Sequence, residues 1–181
     1  MEKNASICFE QIKKAIFSQD AQRLKDISME CTSELALTQE KNFFYSALIA
    51  YALSKIMIKP RYGRYTPPLY KRVAKELDIA ANAVNTGHPV DARKALENAL
   101  FAISELERID RRFVNDVIEK GRTKVAAVLY AEGLSLDTAI SLTGAQRNEV
   151  VDYSGKTMMA YRFGKTISVR ERMKKARELF K

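Results

Sequence analysis

The chain has 181 residues, among which 31 Lys and Arg outnumber 22 Asp and Glu, giving a formal net charge of +9 at pH 7. This length is enough for one or two domains with a buried core. The excess of positive charge favours an acidic partner such as nucleic acid. One histidine and two cysteines, far apart in the chain, exclude an ordinary zinc site.

Neither a signal peptide nor a membrane span is predicted. The N-terminal sequence MEKNASICFEQIKK has no uninterrupted apolar stretch after a basic start. The longest nearly apolar run, residues 43–53, is too short to cross a bilayer. We therefore expect a cytoplasmic protein without a membrane partner, in which Cys8 and Cys31 are core thiols. A disulfide between them is an open alternative, because a hairpin of the first two helices would bring them together.

Apolar residues recur at helical spacing along almost the whole chain, which predicts an all-α protein. The first helix is predicted over residues 4–17, with Ile7 among its inward residues. A second helix is expected from Asp20. Thr38 is expected to cap a third helix, which is apolar on almost all sides and should therefore lie at the centre of the core.

The segment KPRYGRYTPP, residues 59–68, interrupts the helical pattern because its prolines and glycine forbid a continuous helix. The next helix is predicted from Thr66 and is stopped at Gly87. A long helix follows from Val90, and a separate helix is predicted for residues 124–131. These elements give a helical bundle over residues 1–120.

Residues 135–157, SLDTAISLTGAQRNEVVDYSGKT, have the pattern of a helix-turn-helix. The first serine can cap a short helix, and Gly144 tolerates the left-handed backbone of a tight turn. The second helix then starts with Gln146, Arg147 and Asn148, whose side chains can hydrogen-bond to base edges. An ordinary αα-hairpin is the alternative, since it uses the same turn chemistry.

Within this segment, residues 139–157 resemble a stretch of uncharacterised archaeal proteins, with the general form Ala-Ala-Glu-Leu-Leu-Gly-Ile-Ser-x-x-Glu-Leu continuing to Tyr-x-Gly-Lys-Thr. The matching residues are Ala139, Leu142, Gly144, Glu149, Tyr153, Gly155, Lys156 and Thr157, while Ile140, Thr143 and Ala145 differ. More loosely, the segment is similar to small helix-turn-helix antitoxins of PIN-domain ribonucleases. This resemblance implies a role in binding DNA or a toxin.

The C-terminal tail carries most of the net positive charge, and we expect its cations to hold phosphates beside the motif. The predicted phosphate-binding residues are Lys156, Lys165, Arg170, Arg172 and Lys174. Ser168 and Glu171 form the pattern of a capping box, which predicts a last helix from Ser168. The alternative for this amphipathic helix is docking on the protein's own bundle or on a partner.

A second basic region lies between Lys55 and Lys75, without an intervening acid. Its cations could neutralise phosphates while its tyrosine rings stack on bases. The candidates in this secondary basic patch are Arg61, Tyr62, Arg64, Tyr65, Lys71 and Arg72. The slightly favoured alternative is a solvated loop whose tyrosines pack on the bundle.

No catalytic, metal or cofactor site is predicted. The tripeptide Gly-Lys-Thr occurs at residues 155–157 and 164–166, but a phosphate-binding loop needs a glycine five residues before the Gly-Lys pair. Those positions are Val150 and Met159. His88, the one histidine, lies in a Gly-His-Pro turn and is expected to be an exposed loop residue.

The sequence thus predicts a bundle followed by a helix-turn-helix-like module with a basic last helix over residues 121–181. The leading hypothesis is a non-enzymatic regulator, either a transcription regulator or an antitoxin-like protein, which binds DNA in preference to RNA. The alternative is an adaptor that binds another protein, or a second copy of itself, without nucleic acid. An enzyme is the least supported hypothesis, because it would need a polar cleft such as one around Tyr62, Arg64 and His88.

Overall fold

A computed structural model describes residues 5–62, 66–108 and 114–157. In this part of the chain there are eight α-helices and no strand, which confirms the all-α class. In chain order they are α1 (Ala5–Phe17), α2 (Ala21–Thr38), α3 (Lys41–Met57), α4 (Thr66–Asn85), α5 (Pro89–Ser104), α6 (Val114–Ala131), α7 (Leu136–Thr143) and α8 (Arg147–Thr157). Short 3₁₀ helices occupy Pro60–Tyr62 and Glu105–Arg108. None of the helices described here is both long and apolar enough to cross a membrane.

The junction of α2 and α3 differs from the predicted one. Helix α2 starts after Asp20, as expected, and the Asp20 carboxylate caps it by accepting a hydrogen bond from a backbone amide of the first turn. Thr38, however, is the last residue of α2, and its hydroxyl donates to the carbonyl of Glu34 at 2.9 Å. Gln39 follows in the left-handed conformation, and Glu40 precedes α3. Thr38 therefore ends one helix rather than starting the next.

Helix α3 lies at the centre of the core, as its apolar composition predicts. It packs against α1, α2, α5 and α6. The buried Ser28 of α2 donates a hydrogen bond to the carbonyl of Ala47 at 2.8 Å, which ties α2 closely to α3. The α4–α5 hairpin completes the bundle by packing against α1 and α3.

One residue of α1, Ile7, does not face the core as predicted. Phe9 is fully buried, while Ile7 is 45% exposed, because the buried face of α1 is centred on Ala5, Phe9 and Ile12. The interpretation of Cys8 and Cys31 as core thiols is confirmed, since both are buried. In the described structure the two thiols do not form a disulfide.

Helix α6 begins ten residues before the predicted helix at Lys124 and contains Gly121 in its interior. A Cβ atom on Gly121 would lie 2.6 Å from Leu48 Cδ1 and 2.9 Å from Tyr51 Cδ1 of α3. The missing side chain thus lets α6 approach α3 closely. Because α6 also spans residues 120 and 121, one continuous helix joins the bundle to the segment after it.

Candidate nucleic-acid interface

The local geometry of residues 135–147 agrees with the predicted cap and turn. Ser135 caps α7, and its hydroxyl accepts a hydrogen bond from the amide of Thr138 at 3.0 Å. Gly144 ends α7 with φ 69° and ψ 17°, and its amide donates to the carbonyl of Ile140 at 2.8 Å. Glycine suits this left-handed position because it has no Cβ atom. Helix α8 starts directly afterwards, at Arg147.

The polar Thr143 occupies a buried position where the motif would have an apolar residue. Its hydroxyl donates to the carbonyl of Ala139 at 2.8 Å and accepts from the amide of Ala145 at 3.3 Å. The hydroxyl is therefore satisfied within the turn, so that burying it does not leave an unpaired polar group. Thr143 thus stabilises the turn instead of disrupting it.

Arg122 of α6 connects the turn to the bundle. Its Nη1 donates to the carbonyl of Thr143 at 2.8 Å, and its guanidinium lies 5.7 Å from the ring centroid of Phe44 in α3. A carbonyl at the end of α7 is satisfied in this way by a charged donor. The contact fixes the turn relative to the central helix of the core.

Helix α8 is held by α6 as well. Val150 is fully buried, and the hydroxyl of Thr123 in α6 donates to the Glu149 carboxylate at 2.9 Å. Tyr153, one turn after Val150, is half-buried against the core. Helix α6 thus packs against both α7 and α8.

The three residues predicted to read bases are all exposed at the start of α8. Gln146 precedes the helix, and Arg147 and Asn148 form its first turn. Arg147 is not free, since its Nη2 forms an ion pair with Asp137 in the first turn of α7. The guanidinium is 56% exposed and the carboxylate 80% exposed, so the pair lies in solvent.

The predicted phosphate-binding residues fall into two groups. Lys156 is exposed on α8 and lies 3.8 Å from the carboxylate of Asp152. The remaining ones lie outside the described residues, as does the predicted last helix from Ser168; they are Lys165, Arg170, Arg172 and Lys174.

The secondary basic patch is not a stacking surface at Tyr62, which is 1% exposed and belongs to the core. A ring buried in this way cannot stack on a base, and it cannot line a polar cleft with His88, which is exposed. Arg72 forms an ion pair with Glu105, while Lys71 is exposed. The side chain of Arg61, together with Arg64 and Tyr65, lies outside the described part of the chain.

Two residues of this interface were missed in the sequence, namely Arg122 and Asp137. Each acts through a contact between helices, and no sequence motif singles out either of them.

Among the residues described, no group of His, Cys, Asp and Glu is placed to hold a metal ion. Comparison with family models, curated proteins and solved structures found no match.

Proposed function

We propose that this chain binds duplex DNA through α7 and α8, with α8 as the recognition helix. The observation that carries the proposal is the position of Gln146, Arg147 and Asn148. They are consecutive, exposed and at the N-terminal end of a helix that follows a tight left-handed turn. In such modules the N-terminal residues of the second helix contact base edges in the major groove.

The side chains suit this task chemically. Arginine makes two hydrogen bonds to guanine, and asparagine or glutamine makes two to adenine. The amide groups at the start of α8 also favour a nearby phosphate. Duplex DNA is proposed over duplex RNA because the major groove of A-form RNA is too deep and narrow for side chains to read.

The net charge of +9 supports the proposal, since phosphate neutralisation supplies much of the affinity of DNA-binding proteins. A role as a transcription regulator or an antitoxin-like protein follows from the resemblance of residues 139–157.

Exposed Val151, on the outer side of α8, favours protein binding as a second candidate function. In that case α8 contacts another protein or a second copy of the chain.

Replacing Asp137 with asparagine should increase the affinity for duplex DNA about fivefold to tenfold. The carboxylate pairs with Arg147, which must leave this pair to contact a base, and its negative charge repels the phosphates of DNA, so it opposes binding. Stability should change by less than about 0.5 kcal/mol, because the ion pair is exposed. Fluorescence anisotropy at fixed ionic strength, together with urea unfolding, measures both effects.

Asp91→Asn is the matched control, because Asp91 also lies in the first turn of an exposed helix end. This substitution removes the same charge, but among the described residues no arginine forms an ion pair with Asp91 as Arg147 does with Asp137. Its affinity for DNA should rise by no more than about twofold through the change in net charge. Equal effects of the two substitutions would contradict a DNA-contacting role of the start of α8.

A further inference from the structure

A cluster of positive charge lies where α2, α3 and α6 meet. The Nζ atoms of Lys55 and Lys124 lie 5.5 Å and 5.0 Å from the ring centroid of Tyr51. Two ammonium groups from different helices therefore share one aromatic ring. Gly121, one turn before Lys124, leaves the space that this ring occupies. The positive charge of Lys25 in α2 also lowers the pKa of Lys124.

Among the described residues, no acid forms an ion pair with the lysines of this cluster. In the part of the chain that the structure describes, other cations such as Lys13, Arg23 and Arg147 form ion pairs with carboxylates. No such pair involves Lys25, Lys55 or Lys124 there. Contact with the face of Tyr51 offsets only part of the repulsion between like charges.

The charged form of Lys124 is disfavoured in this arrangement. It is half-buried, and burial, followed by the charges of Lys55 and Lys25, lowers its pKa from the usual value. Unbalanced charge of this kind destabilises the folded chain, and such costs concentrate at functional sites.

We propose that Lys55 and Lys124 form a binding site for a phosphate group beside Tyr51. A phosphate carries up to two negative charges and several acceptor oxygens, which several ammonium groups can share, and lysine binds phosphate as a point charge. The phosphate belongs either to a nucleic-acid backbone or to a free polyphosphate compound. The site goes beyond the proposed function, because a free polyphosphate would occupy it whether or not α8 reads bases.

The position of the cluster connects it to α8. Thr123, the residue before Lys124, donates a hydrogen bond to Glu149 of α8 at 2.9 Å. Burial and, second, the charge interaction with Tyr153 of α8 raise the pKa of Tyr51. A backbone phosphate held by the lysines would therefore lie beside the proposed recognition helix. A free polyphosphate at the same place would compete with the DNA backbone.

The test is calorimetric titration of the full chain with inorganic tripolyphosphate at low salt. Lys55→Met and Lys124→Met should each weaken binding about tenfold, because each removes a charged hydrogen-bond donor. Lys94→Met is the matched control, since Lys94 is exposed on α5 and belongs to another surface. It removes the same charge and should weaken binding by less than about twofold.

The unliganded variants give an independent measurement. Lys124→Met should raise the Tm of the free protein by about 2–4 °C, because it removes a half-buried charge that two lysines repel. A lysine with a merely structural role would lower the Tm on removal. Tripolyphosphate should raise the Tm of the wild type more than that of Lys124→Met.

Parallel titrations with a short DNA duplex identify the source of the phosphate. Weaker duplex binding by Lys55→Met and Lys124→Met, but not by Lys94→Met, supports a backbone phosphate. Weaker tripolyphosphate binding alone supports a free polyphosphate. The proposal is overturned if the wild type binds neither probe, or if the three variants lose equal affinity for both.

Discussion

Replacing Gly121 with valine should lower the free energy of unfolding by about 2–3 kcal/mol, as overpacking of a tight core contact does. Its Cβ atom alone would come within 2.6 Å of Leu48 Cδ1 and 2.9 Å of Tyr51 Cδ1. Leu48 is fully buried, so its side chain has little room to move away. Helices α3 and α6 would separate, and Arg122 would lose its position over Phe44. Urea unfolding followed by circular dichroism measures the change.

Gly155→Ala is the control for the intrinsic effect of removing a helical glycine. Gly155 lies within α8, and a Cβ atom there would meet no other atom within 4 Å. This substitution should stabilise the protein by about 0.5–1 kcal/mol, because alanine is the better helix former. If Gly121→Val also left stability unchanged or increased it, the close approach of α6 to α3 would be wrong.

Replacing Arg147 with alanine should relax the base preference at one position and weaken the best duplex by about 1–3 kcal/mol, or roughly 5-fold to 150-fold. The affinity for unrelated duplexes should fall much less, because they gain only phosphate contacts from this side chain. The fold should be unaffected, since the exposed ion pair with Asp137 contributes little to stability. Selection from a random duplex library, followed by titration of the selected sequence, measures the change.

Lys156→Ala gives the contrasting pattern expected of a phosphate contact. It should weaken all sequences by a similar factor and reduce the slope of log affinity against log salt by about one. Base preference should stay as in the wild type. An Arg147→Ala variant that behaved like Lys156→Ala, with no change of preference, would show that α8 does not read bases.

The turn could be predicted from the sequence because its signals are local. Ser135 and Gly144 each act within one helical turn, and the structure places both as expected. The start of α6 could not be predicted in this way. Gly121 is a packing residue of α6, and the side chains that require a glycine there belong to α3, about seventy residues earlier in the chain. Ile7 was misplaced because α1 has apolar residues on more than one side.

The residues of the candidate site likewise divide into those that local sequence signals predict and those that only tertiary contacts reveal. Gln146, Arg147 and Asn148 follow from their place after the turn. Asp137 and Arg122 required tertiary contacts, since no sequence rule pairs them with Arg147 and the Thr143 carbonyl.

Burial also decides between the two interpretations of Tyr62 in the secondary basic patch. Tyr62 stands in a basic, proline-rich stretch and is one of the largest fully buried side chains in the described structure, which agrees with the alternative that the tyrosines there pack on the bundle. Its aromatic ring fills the core, which outweighs the polar neighbours in sequence.

Fluorescence anisotropy with labelled duplex DNA, single-stranded DNA and RNA, each at roughly 50 and 200 mM salt, tests DNA binding most directly. We expect duplex DNA to bind most tightly, and the affinity to fall about a hundredfold between the two salt concentrations if about four phosphates are contacted. Absence of binding at the lower salt, or an affinity that salt does not change, would contradict DNA binding. Those results would instead favour the adaptor, with α8 and exposed Val151 as the first surface to examine.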